Sequence, residues 1–93
     1  DVVTYIGDID QLFRGAAGSL RPGGYFIVIA EALQTTEDFR LNPNGRFSHG
    51  REYLERVSKN AGLAVAYLEE SAMRHEDNKP VPTWVVVARA TDA

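Results

Sequence analysis

Four side chains stand out by type and position: Asp8, Glu31, Arg46 and His49. Asp8 follows the short apolar run Val2–Ile6 and Gly7, and Glu31 follows the apolar run Tyr25–Ala30. In open α/β sheets, ligands sit beyond the carboxyl ends of the parallel strands, so an acid at such an end can meet one. Arg46 and His49 lie in the stretch GRFSHG, ahead of a second helix. A histidine there can take a proton from an acceptor oxygen or nitrogen, because its pKa lies near neutrality. An arginine there can hold a carboxylate or phosphate. His49 is the leading candidate base and Asp8 the second, while Glu31 and Arg46 are candidates to bind substrate. Each also has a plain structural explanation. Asp8 can cap a helix, Glu31 can be the first exposed loop residue, and His49 can bond to backbone where the helix starts. The stretch RHED, residues 74–77, matches no zinc or EF-hand spacing, so no metal is expected and a solvated hairpin tip is.

The elements that carry these residues follow from periodicity. Val2–Ile6 is β-branched and aromatic, and predicts a strand. Ile9, Leu12, Phe13, Ala16 and Leu20 form one apolar helical stripe, with Asp10 in the first turn. Gly15 and Gly18 are unfavourable inside that helix by about 1 kcal/mol each, and close packing on the sheet would explain them. Pro22, Gly23 and Gly24 stop it. Tyr25–Ala30 is apolar without alternation, as in a strand covered on both faces. Residues 32–47 read as a loop with its turn at Asn42–Gly45. Ser48 is placed to cap the second helix, whose inner face is Tyr53, Leu54, Val57 and Ala61, and Gly62 ends it. Leu63–Glu70 predicts a third strand with Leu63, Val65 and Tyr67 on one side. Residues 71–82 are polar and contain Pro80 and Pro82, and Thr83–Ala90 predicts a fourth strand.

The order is β-α-β-α-β-β, an α/β fold with a mixed sheet that ends in an antiparallel hairpin. Two successive right-handed crossovers moving the same way place both helices on one face. The first, second and fourth strands are nevertheless apolar on both faces. The sheet therefore needs a second cover: another copy of the chain, or an N-terminal half not in it.

Ninety-three residues make one small domain. The net charge is −3 and no basic stripe appears, which disfavours nucleic acid. No apolar run approaches the ~20 residues of a bilayer span. There is no cysteine and no visible leader, compatible with a reducing compartment and an expected cytoplasmic location. The chain opens at Asp1 and runs at once into an apolar strand, which suggests a piece of a longer protein.

The stretches DVVTYIGDIDQLF and LRPGGYFIVIAEAL resemble the second half of class I, Rossmann-like S-adenosylmethionine-dependent methyltransferases. There a strand, a helix, an LrpGG turn and a further strand recur, followed by a helix and a closing antiparallel hairpin. The resemblance covers nearly the whole chain, residues 1–93, as a single partial domain. YIGD with GRFSHGREYLE looks like a bacterial branch of small-molecule or uncharacterised methyltransferases. The resemblance implies S-adenosylmethionine as cofactor, with Tyr5 and Gly7 at the strand end that faces the reacting centre, and a small-molecule methyl acceptor. In such enzymes methyl transfer is an in-line displacement for which the protein chiefly positions donor and acceptor. The family's first half supplies a glycine-rich loop and a ribose-gripping acid, and this chain has no G-x-G element. The chain alone is thus expected to bind cofactor poorly and to be inactive. The alternative, from a different class, is a non-catalytic module that self-associates or docks a partner through its uncovered face.

Overall fold

The computed structural model describes residues 7–76 and 79–90. Their element order is α1 (Asp10–Ser19), β1 (Tyr25–Leu33), β2 (Phe39–Leu41), β3 (Phe47–Gly50), α2 (Arg51–Asn60), β4 (Leu63–Glu76) and β5 (Lys79–Ala90). The five strands form one mixed sheet in the order β2-β3-β1-β5-β4. Strand β1 runs parallel to β3 and antiparallel to β5, and β4–β5 is the antiparallel hairpin expected from sequence. The strand expected at Val2–Ile6 lies outside the described residues.

Local chemistry explains the element ends. Asp8 Oδ1 accepts the Asp10 amide at 3.1 Å, next to the start of α1. After that helix, the Gly24 amide donates to the Arg21 carbonyl at 2.8 Å, and Gly23 has φ of 80°. Proline at the second position and a positive-φ glycine at the third make a type II turn, the job that RPGG performs. Gly62, with φ of 81°, ends α2 as expected. The α2 start differs from expectation: Gly50 is its N-cap residue, and Ser48 sits inside β3.

The two helices pack on one face. Phe13 from α1 and Tyr53, Leu54 and Val57 from α2 share a core with Val28, Ala30, Val86 and Ala88 of the sheet. Fully burying such a side chain contributes roughly 1.5–3 kcal/mol, and Phe13 meets Phe26 edge-on at 5.4 Å. Gly15 and Gly18 do not serve the close packing expected of them, for nothing lies within 4 Å of a Cβ at either.

Three sequence expectations change. Residues 32–47 are not all loop: Phe39–Leu41 pairs with Phe47–Gly50 as a small hairpin. Its turn is the expected one, closed by Gly45 N–H to the Asn42 carbonyl at 3.0 Å, with Gly45 at φ of 82°. The long hairpin extends through residues 71–76 and 79–82, although Pro80 and Pro82 suggest a loop. Pairing with β1 stops at Glu31↔Thr83, so past that point β5 is an edge strand among the described residues, where a missing N–H is tolerated. Finally, a register shift between Val65 and Tyr67 moves Tyr67 to the opposite face from Leu63 and Val65.

Candidate functional site

The carboxyl ends of β1 and β3, the start of α2 and residues 7–10 meet along one edge of the sheet. In the parallel register, Ala32 lies beside His49 and Glu31 beside Ser48. Successive strand residues face opposite ways. His49 therefore joins the helix-covered core, and Ser48 shares the other face with Glu31.

His49 is 0% exposed. Its Nε2 lies 3.1 Å from the Gly7 carbonyl oxygen. A carbonyl only accepts, so Nε2 carries the hydrogen of that bond, and the other ring nitrogen, Nδ1, is buried. The imidazole stacks on Tyr53, with ring centroids 6.2 Å apart and planes 11° apart. The His49 carbonyl accepts the Trp84 indole N–H at 3.0 Å. His49 is thus a strand residue that ties residue 7 to β3, not the residue at a helix start that the sequence suggested.

Asp8 is exposed, and its Oδ1 also accepts the Tyr53 hydroxyl at 3.3 Å. The same phenol oxygen accepts the buried Ile9 amide at 2.9 Å. Burial raises the Tyr53 pKa above its ordinary 10.0; the Ile9 bond opposes this, and the charges of Asp8 and Asp38 add to it. Arg56 lies 5.4 Å over the Tyr53 ring and pairs with Asp38 at 2.6 Å. Gly7 is buried, and a Cβ there would sit 2.6 Å from the Phe39 ring and 2.7 Å from that of Phe47. The residue assigned by resemblance to the cofactor thus has two aromatic rings as its neighbours. Tyr5 lies outside the described residues.

Glu31 lies within β1 rather than in a loop, and is 7% exposed. Arg46 Nη1 stands 3.8 Å from its carboxylate. The two residues expected to bind substrate therefore lie together, on the face opposite His49. Asn42 Nδ2 donates to Ser48 Oγ at 3.1 Å nearby.

A cleft of about 190 Å³ opens at the same edge, lined by Leu33, Gln34, Thr35, Thr36, Arg51, Glu52 and Trp84. The Arg51 guanidinium lies 5.7 Å over the Trp84 ring and donates to the Leu68 carbonyl at 3.1 Å. Sequence reasoning missed this cleft and the role of Tyr53. The signal for the first was the position of Gln34–Thr36 directly after a parallel strand. For the second it was a tyrosine on a buried helix face, whose hydroxyl must find a polar group.

Among the described residues, no group of three His, Cys, Asp or Glu side chains could hold a metal ion. Gly23 precedes β1, Gly45 sits in a hairpin turn and Gly62 follows α2. None of these three makes a turn after a parallel strand, and Gly50, at the junction of β3 and α2, has no second glycine in a G-x-G beside it, so the described glycines do not form a glycine-rich turn for an adenosyl cofactor. Among the described residues, no helix is long and apolar enough to cross a membrane.

No protein-family model and no curated protein matches the sequence. Solved structures do match. A SAM-dependent methyltransferase from Methanosarcina mazei aligns over 100% of this chain and 58% of its own, with a TM-score of 0.75 and 11% identity. An S-adenosylmethionine-dependent methyltransferase from Mesorhizobium loti aligns over 91% of this chain and 57% of its own, with a TM-score of 0.62 and 18% identity. The chain has the α/β fold of the Rossmann-like methyltransferases, as its sequence motifs suggested, and spans a little over half the length of these two proteins.

Proposed function

We propose that the chain is the carboxyl-terminal part of an S-adenosylmethionine-dependent methyltransferase that acts on a small-molecule acceptor. The observation that carries this reading is the overlay of the entire chain on a methyltransferase at a TM-score of 0.75. In the complete enzyme the cofactor supplies the methyl group, and the glycines described in this chain do not form the turn that would hold it. This chain's contribution is the acceptor side. Asp8 is the group placed to receive a proton from an acceptor O–H or N–H, through the oxygen that Tyr53 does not engage. Its exposure favours it over the enclosed His49. Tyr53 positions Asp8, and the cleft between Gln34 and Trp84 offers room for an acceptor at the same edge.

The test uses the protein that contains this chain and methyl-labelled S-adenosylmethionine, with label transfer to a small-molecule extract as readout. Asp8→Asn is expected to lower transfer by about 10²–10⁴-fold, the usual contribution of a general base, with cofactor affinity unchanged. Absence of transfer by the native protein, or full transfer by the variant, overturns the respective part. Calorimetry on residues 1–93 alone is expected to show no tight binding of S-adenosylmethionine.

A further inference from the structure

The cleft at the carboxyl edge has walls of both charges. Arg51 and Glu52, the first two residues of α2, line it together, with Trp84 under the arginine. Three contacts hold the Arg51 guanidinium. It lies 5.7 Å over the Trp84 ring, its Nη1 donates to the Leu68 carbonyl at 3.1 Å, and its Nε stands 3.2 Å from the Glu55 carboxylate. Leu68 belongs to β4 and Trp84 to β5, so the hairpin fixes this cation before any ligand arrives. A guanidinium carries five N–H donors in a rigid fork. The Nη2 hydrogens of Arg51 have no acceptor among the described residues. An open guanidinium edge of this kind binds a carboxylate.

The acids of the cleft ask for the opposite charge. Glu52 is exposed and makes no hydrogen bond or ion pair with the described residues. Arg56, one turn along α2, is taken by Asp38 at 2.6 Å. On the other wall Gln34 Nε2 donates to the Glu70 carboxylate, which has no cation partner among the described residues. A ligand with a carboxylate alone would answer Arg51 but stand against Glu52 and Glu70. A ligand with an amine alone would answer the acids but leave the guanidinium edge unmet and facing a like charge. A ligand that carries both groups answers both walls. It is also small, because about 190 Å³ falls below the roughly 300–1,000 Å³ of pockets for drug-sized molecules.

We propose that this cleft takes a small zwitterion, an α-amino acid or a close relative, with its carboxylate on Arg51 and its ammonium toward Glu52. This names the acceptor's chemical class, and it rests on the reading of the cleft as the acceptor's place. Leu33 and Trp84 offer apolar surface to a short carbon chain. The prior anchoring of Arg51 lowers the ordering cost of binding. Selectivity comes from refusal as much as from attraction, since each wall rejects a ligand that carries only its own sign of charge.

Calorimetry on the full protein that contains this chain tests it, at saturating S-adenosylhomocysteine, which fills the cofactor site and has no methyl group to give. The probes are the common amino acids, each beside its deaminated acid and its decarboxylated amine. At least one amino acid is expected to bind about tenfold or more tighter than either counterpart. Glu52→Gln should weaken that amino acid but not its deaminated acid, so that the preference falls about tenfold. Arg51→Gln should weaken the amino acid and spare the amine. A side chain that only supported the fold would weaken all three probes alike. Binding of no amino acid, counterparts that bind as tightly, a preference unchanged in Glu52→Gln, or methyl label confined to extract compounds that are not zwitterions overturns the proposal and leaves methyl transfer standing. Selective binding of amino acids without any transfer of label supports the ligand class and overturns methyl transfer instead.

Discussion

The Tyr53 hydroxyl donates to Asp8 Oδ1 at 3.3 Å while its oxygen accepts the Ile9 amide at 2.9 Å. One phenol on α2 thus fixes both the candidate base and the backbone that enters α1. Tyr53→Phe keeps the ring against His49 and Phe39 but leaves the Ile9 N–H buried without its acceptor. A buried donor left unsatisfied costs about 1–3 kcal/mol. Urea unfolding followed by Trp84 fluorescence should show a lower midpoint with an unchanged slope. An unchanged midpoint would mean that water takes the phenol's place.

The same phenol makes stability fall in alkali. Its folded pKa lies above 10.0, chiefly through burial, so the folded chain holds the proton more tightly than the unfolded chain. Its contribution is complete below pH 10.0 and is lost as pH rises through the higher folded value. Spectrophotometric titration of tyrosinate should show one late-ionising group that disappears in Tyr53→Phe. If the late group persists in that variant, the assignment to Tyr53 fails.

Gly15 and Gly18 are exposed on α1, and nothing lies within 4 Å of where a Cβ would stand at either. Alanine at each removes unfolded-state freedom and clashes with nothing, and should stabilise by about 0.4–1 kcal/mol. Gly45→Ala is the opposite control: its φ is 82°, and a side chain in the left-handed region costs about 1–2 kcal/mol. Thermal midpoints should move up for the first two and down for the third. A fall for Gly15→Ala would reveal a contact that the described residues do not make.

What the sequence displayed and what it hid divide by range of interaction. The inner face of α2, Tyr53, Leu54 and Val57, was legible because helical periodicity is local. So was the RPGG turn, whose proline and glycine impose their own dihedrals. The one-sided placement of both helices was expected from two right-handed crossovers moving the same way along the sheet. β2 and β3 were hidden because three or four residues carry no period, and only pairing across the Asn42–Gly45 turn makes them strands. The bulge at Val65–Tyr67 was hidden because an alternating pattern reads straight through it. His49 was misplaced by the same short strand: once β3 runs to Gly50, the helix start shifts and the ring turns into the core. Glu31 and Arg46 were found as single residues, but their proximity required the fold.

Gly50 and Gly7 are both small residues under contact, and they should fail differently. A Cβ at Gly50 would overlap the Glu37 carbonyl oxygen, and the Gly50 amide donates to the Asp38 carbonyl at 2.9 Å. That neighbour is backbone and cannot rotate away. At Gly7 the obstacles are the Phe39 and Phe47 rings, which are side chains rather than backbone, and Phe39 is partly exposed. Overpacking costs about 1–3 kcal/mol when neighbours can adjust, which is the range expected for Gly7→Ala. Gly50→Ala should cost more and should also displace the adjoining His49 carbonyl from the Trp84 indole. At about 4–8 °C per kcal/mol for a domain of this size, the two variants should separate in a thermal scan. The Trp84 emission should shift in Gly50→Ala and stay in place in Gly7→Ala. Equal losses with unshifted emission would show that the Glu37–Asp38 segment yields as readily as a ring, and that the start of α2 is not held by it.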